Sequence, residues 1–289
     1  MDTLDGARYV AGSMRRHVEN FAFSNPTLML GEALEDLPPD TAGNAMPQPT
    51  RDAESGGGKR KPGMELKFRG LLMEMKGREI LSNVSGTVRP GELLAVMGPS
   101  GSGKTTLLSV LSGRQSVQAG TVKMNGMPLS KRLRRSICYV MQQDIFFANL
   151  TLKDTLMYQA HLKLPSTMKQ HEKEKIVTSL VEELDITKCY NTIIGDDFKR
   201  GLSGGERKRA NIACELLSDP AVMLLDEPTS GLDSSTAYSL CCTLRRYVLR
   251  HCKTVVSSIH QPSSQIYHMF DKVLLMSDGE LPEEVTALR

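Results

Sequence analysis

The sequence predicts an α/β fold, a parallel sheet covered by helices. Three observations predict it. Apolar runs of strand length alternate with helical stretches over most of the chain, the pattern of strand–helix–strand units. Gly98-Pro99-Ser100-Gly101-Ser102-Gly103-Lys104-Thr105-Thr106 fits G-x-x-x-x-G-K-[ST], a phosphate-binding loop that needs a strand before it and a helix after it. Ala221-Val222-Met223-Leu224-Leu225-Asp226-Glu227-Pro228 is an apolar strand ending in two carboxylates.

Residues 1–62 are rich in Pro, Gly, Asp and Asn and include Gly56-Gly57-Gly58. They read as a disordered segment and linker, with a weakly patterned helix at 14–23. From Met64 to Leu150 strands alternate with one helix. Glu92-Leu93-Leu94-Ala95-Val96-Met97 is the strand before the phosphate loop, and Leu107-Leu108-Ser109-Val110-Leu111 lies in the helix after it. Glycines let the loop curl so that successive N–H groups face phosphate oxygens, and the helix N-terminus adds partial positive charge. Lys104 is expected to reach the β- and γ-phosphates and Thr105 to ligate Mg²⁺. Lys131, Arg132, Arg134 and Arg135 read as a solvated face between two strands. Residues 151–200 turn helical, and Ile176, Val177, Leu180, Val181 and Leu184 form a core stripe. Strands are expected again at 221–225, 254–259 and 272–276.

Gly201-Leu202-Ser203-Gly204-Gly205-Glu206-Arg207-Lys208-Arg209 places an N-cap serine and two glycines at the start of a helix, a second anion site remote in sequence from the first. Asp226 suits a hold on Mg²⁺ and its waters. Glu227, one residue on, is expected on the other side of the strand end, free to orient or deprotonate a water. Gln142 stands in Cys138-Tyr139-Val140-Met141-Gln142-Gln143-Asp144, Asp233 closes Ser230-Gly231-Leu232-Asp233, and His260 follows the apolar run at 254–259.

In this order the motifs resemble the nucleotide-binding domain of ABC transporters, G subfamily (the White-type half-transporters). The subfamily likeness rests on Glu-Ile-Leu-Ser-Asn-Val-Ser-Gly at 79–86, Ser-Gly-Gly-Glu-Arg-Lys-Arg at 203–209 and Ile-His-Gln-Pro-Ser-Ser at 259–264, over residues 64–280. The resemblance implies a RecA-like P-loop NTPase core at 63–289 with an all-helical subdomain inserted at about 151–204. It implies ATP and Mg²⁺ as ligands. ATP would be held by residues 98–106 and by Ser203, Gly204, Gly205, Glu206 and Asp233. Thr105, Gln142 and Asp226 would serve the metal, and Glu227, His260 and Gln142 the chemistry. Signature and P-loop lie on different subdomains, so a second ATPase domain, identical or not, would close each site head to tail, with Asp233 at the boundary. A transmembrane domain, absent from this chain, would complete the transporter and place the ATPase on the cytoplasmic face of a membrane. Phe146, Phe147 and Tyr158 are either its docking surface or core. The family's adenine-stacking aromatic has one candidate, Phe68. The tail from Leu281 departs from the family's continuation, the mark of a C-terminally truncated form. The implied activity is ATP hydrolysis powering export of a lipid or other hydrophobic substrate. The alternatives are a truncated form that regulates a full-length partner and a soluble, non-transport ABC ATPase.

Composition agrees with a globular protein. The 289 residues are 40% hydrophobic and 24% charged. No apolar run approaches the roughly 18 residues of a membrane span, and no signal peptide opens the chain. Six cysteines without C-x-x-C spacing read as free thiols. A net charge of +3 is too weak to imply nucleic acid as partner.

Overall fold

Residues 61–196 and 198–277, with the backbone of Glu284–Val285, are described in a computed structural model. The expected disorder before Lys61, the helix at 14–23 and the divergent tail lie outside the described residues. Lys61 is fixed by its backbone, which donates to Asp219 and accepts from Lys253.

The chain opens with β1 (Leu66–Met75) and β2 (Arg78–Val88), an antiparallel hairpin. β3 (Leu93–Met97) runs into α1 (Lys104–Leu111). β4 (Ala119–Met124) returns to pair with β1, followed by the short β5 (Met127–Pro128) and α2 (Lys131–Arg134). β6 (Ile137–Val140) leads to α3 (Leu152–Lys163) and α4 (Gln170–Glu183). Then come α5 (Gly204–Leu216), β7 (Val222–Asp226), α6 (Ser234–His251), β8 (Thr254–Ile259), α7 (Ser264–Tyr267), β9 (Lys272–Leu275) and β10 (Glu284–Val285).

Two sheets result. The larger has the order β10-β9-β3-β8-β7-β6, with every pair from β9 to β6 parallel. The smaller is antiparallel, in the order β2-β1-β4-β5. Strand–helix alternation predicts only the first. Residues 66–88 carry an antiparallel hairpin because Lys76-Gly77 turns the chain with positive φ at both positions, a geometry matched to hairpin twist.

The parallel strands are buried on both faces, so they read as continuous apolar runs. Leu93, Ala95 and Met97 face a core shared with α3, α4, α5 and α6, whereas Leu94 and Val96 face one shared with α1 and the antiparallel sheet. The stripe on α4 lies as expected, with Val177, Leu180, Val181 and Leu184 buried and Ile176 packed at the margin. Phe146 also packs on this core, but Phe147 and Tyr158 are 78% and 60% exposed. The three aromatics therefore divide between core and surface. No helix among the described residues is long and apolar enough to cross a membrane.

Candidate functional site

The site is assembled at the ends of β3, β7 and β8, adjacent in the parallel sheet, which brings together residues more than a hundred positions apart. β3 ends at Met97, and the loop 98–103 carries the chain into α1. Gly103 has φ 93°, and a Cβ there would lie 2.8 Å from the Ile80 carbonyl, so only glycine fits. Lys104 is buried, and its ammonium folds back to donate to the carbonyls of Gly98 and Pro99 at 2.9 and 2.8 Å. Thr105 is exposed at the helix start, and Thr106 is half-buried. Ser102 is 2% exposed, and its hydroxyl has no hydrogen-bond partner. A buried polar atom of that kind calls for a ligand, and a phosphate in this loop is the fitting one.

Asp226 is buried at the end of β7 under three hydroxyl donors. Ser258 donates to Oδ1 at 2.7 Å, Thr105 to Oδ1 at 3.2 Å and Tyr139 to Oδ2 at 3.0 Å. Such donors offset the cost of burying a carboxylate. The Arg114 guanidinium lies 4.3 Å from the centre of the Tyr139 ring. Burial, and after it the Asp226 charge, push the Tyr139 phenol up to about 12, so it stays a hydrogen-bond donor at neutral pH.

Glu227 leaves the strand alternation that Asp226 closes. Its backbone is left-handed, φ 46°, and its N–H is held at 2.8 Å by Ser258 Oγ. One serine hydroxyl thus fixes both acidic residues. Gln142, just past β6, donates its side-chain amide to Glu227 Oε2 at 2.7 Å. Glu227, His260, Ser100, Thr229, Ser230 and Gly231 line one open cleft. Thr105, Asp226 and Gln142 supply the hard oxygen donors that suit Mg²⁺, so the donor set fits that ion beside the phosphate loop.

The second motif stands apart. Ser203 caps α5 in a reciprocal capping box with Glu206, whose carboxylate accepts from the Ser203 N–H at 2.8 Å and its hydroxyl at 2.7 Å. The Ser203 N–H, first among several donors, holds the Glu206 carboxyl below its ordinary range. Gly204 and Gly205 pack beside Leu232 and Thr236, and none of residues 203–206 lines the cleft. Asp233 caps α6, taking the N–H and hydroxyl of both Ser235 and Thr236. These donors, the Thr236 hydroxyl foremost, hold its carboxyl far below the usual carboxylate range. Phe68 is wholly buried, its ring under Gly86, and has no face to offer an adenine.

Tyr139 and Ser258 escape a reading of motifs, because only strand register reveals them. Ser258 is the β8 partner of Asp226, and Tyr139 lies on the other neighbouring strand.

Comparison with known proteins gives the family and the fold. The ABC transporter family matches residues 81–230. ABC transporter G family member 22 of Arabidopsis thaliana is 44% identical over 273 residues, covering 86% of this chain and 35% of that protein. ABC transporter G family member 21 of the same plant is 51% identical over 203 residues, 70% of this chain and 30% of that one. The broad substrate specificity ATP-binding cassette transporter ABCG2 of Rattus norvegicus is 41% identical over 213 residues, 73% and 32%. The chain spans about a third of the length of these curated relatives. Among solved structures, a dimeric ATP-binding cassette in a post-hydrolysis state with ADP and Pi superposes with a TM-score of 0.65 at 24% identity, over 78% of this chain and 99% of that one. The ADP conformation of another ABC transporter cassette gives 0.67 at 20% identity, over 78% and 91%. These two show the fold.

Proposed function

Since this chain belongs to the ABC transporter family, we propose that it is the ATP-binding and ATP-hydrolysing domain of a G-type half-transporter. The observation that carries the reading is the convergence of Lys104, Thr105, Asp226, Glu227, Gln142 and His260 on the ends of adjacent strands, with a buried unpartnered Ser102 hydroxyl inside the phosphate loop.

ATP would bind with its β- and γ-phosphates over the N-terminus of α1. The Lys104 ammonium would exchange its two carbonyl partners for phosphate oxygens, and Ser102 would gain the bond it lacks. Thr105, Asp226 and Gln142 would hold Mg²⁺, which supplies charge neutralisation when bound. Glu227 would orient the attacking water and accept its proton, held in place by the Ser258 bond to its N–H and the Gln142 amide on its carboxylate. His260, in the same cleft, would contact the γ-phosphate. The N-terminus of α5, with its two glycines, lies outside the cleft, so a second cassette placed head to tail would bring its own Ser203–Glu206 onto this ATP. A symmetric pair of that kind closes on itself with two shared sites. Asp233, saturated within its own cap, would shape that boundary through the helix it starts. Phe147, Tyr158, Ile145 and Leu162, 60–81% exposed, would receive a membrane domain on the cytoplasmic side, through which the ATP cycle exports a lipid or other hydrophobic substrate.

Glu227→Gln tests the assignment. The variant is expected to keep its affinity for a fluorescent ATP analogue, lose about 10²-fold in turnover, the scale of a positioned general base, and accumulate as an ATP-bound dimer on a sizing column. Hydrolysis at the wild-type rate would remove Glu227 from the mechanism.

A further inference from the structure

Behind the Gln142–Glu227 contact lies a buried polar cluster centred on Lys208, a residue of the 203–209 motif to which the reading of that motif gives no role. Lys208 of α5 donates to the main-chain carbonyl of Gln142 at 2.5 Å and pairs with the Asp144 carboxylate at 3.1 Å. Asn211, one turn further along α5, donates to the other Asp144 oxygen at 2.6 Å. Both charged side chains are only 9% exposed. Gln142 is therefore gripped at its carbonyl by α5 while its side chain holds Glu227 at 2.7 Å. One residue joins the helix that opens with Ser203 to the carboxylate in the cleft.

Burying two charges costs more than burying an apolar pair of the same volume, so a buried ion pair is weak support for stability. What it does supply is direction. An ammonium anchored on the Asp144 carboxylate holds the carbonyl of Gln142 in one orientation, and Asn211 holds the carboxylate that orients the ammonium. An apolar contact between α5 and this loop would leave the Gln142 peptide free to rotate and its amide free to leave Glu227.

We propose that Lys208, oriented by Asp144 and Asn211, is a positioning residue that aims the Gln142 amide at Glu227 and ties that contact to the position of α5. The proposal rests on the ATPase reading above. Movement of α5, as when its N-terminus meets a nucleotide on a second copy, would then be felt at Glu227 through a single side chain.

The test is the pair of changes Asp144→Asn and Lys208→Met. Lys208→Met alone would strand a buried carboxylate and confuse unfolding with misplacement. The double variant strands no charge and keeps the bond to Asn211. It is expected to unfold in one cooperative transition at a modestly lowered midpoint, and to bind the fluorescent ATP analogue within about twofold of wild type, because neither residue touches the phosphate loop. Turnover is expected to fall by at least about tenfold, since small misplacements of a catalytic group are costly. Amide hydrogen exchange at residues 141–147 should quicken while that of β7 and β8 stays slow. Wild-type turnover, or unchanged exchange in 141–147, would overturn the proposal. If the wild-type chain itself neither binds nor hydrolyses ATP, the ATPase reading fails, and the exchange measurement still decides whether Lys208 fixes the loop.

Discussion

At the scale of single residues, Ser258 decides more than its size suggests. Its hydroxyl donates to Asp226 and accepts the N–H of Glu227, so it fixes a buried carboxylate and the left-handed turn after it together. Ser258→Ala removes one of three donors from a buried carboxylate and leaves a backbone N–H without a partner. The expected cost is about 1–3 kcal/mol of folding stability, the penalty of an unsatisfied buried group, with slower ATP turnover as Glu227 loses its anchor. Chemical denaturation and an ATPase assay check both, and a variant equal to wild type in both would show the serine to be dispensable. The same scale shows where residue identity misleads. Phe68 is the only aromatic in its strand, yet its ring is spent on the core between the two sheets. Any base contact must use other surfaces.

At the scale of elements, helix starts carry the motifs. α1, α5 and α6 each begin at a motif, and two of them are capped by their own motif residues. Ser203 and Glu206 cap α5 reciprocally, and Asp233 takes four donors at the start of α6. A cap fixes the direction from which the N–H groups of the first turn are presented, and that direction sets where an anion can bind. Ser203→Ala is expected to cost about 1 kcal/mol, the usual loss of a serine cap, and to loosen the first turn of α5. Thermal unfolding together with hydrogen exchange at residues 203–208 measures it. Unchanged exchange there would mean that packing of Gly205 against Thr236, where a Cβ would lie 2.3 Å from the threonine methyl, sets the turn without the cap.

At the scale of the whole molecule, the cysteines report how the core is closed. Cys138, Cys214 and Cys241 are buried, and burial is the foremost reason their thiols are pushed up to about 12, and that of Cys189 to about 11, from an ordinary 9.0. The folded values lie above the unfolded one. Their contribution to stability is therefore complete below about pH 9 and is lost as pH rises toward 11 and 12, where the unfolded chain ionises first. Stability measured by denaturant should be level up to about pH 8 and fall steeply beyond about pH 9. A thiol reagent at about pH 8 should modify exposed Cys252 quickly and half-buried Cys242 slowly, reaching the other four only in denaturant. Six equivalent thiols in the native protein would contradict the packing described.

Local chemistry made much of this protein legible in its sequence. The phosphate loop, the acidic end of β7, the cap at Ser203 and the apolar stripe on α4 all depend on neighbours within a few positions. Glycine conformations, caps and helical period are short-range physics, so they survive being read from a string. The antiparallel sheet was not legible, because pairing between residues 66–72 and 119–124 is a contact across some fifty positions that leaves no local pattern. The same holds for Ser258 opposite Asp226, Tyr139 beneath it, and Lys208 reaching Gln142 across 66 residues. Each looks ordinary in its own segment. Only strand register and the packing of α5 against the end of β6 make them neighbours, and that is settled by burying both faces of the parallel sheet at once, which no segment does alone.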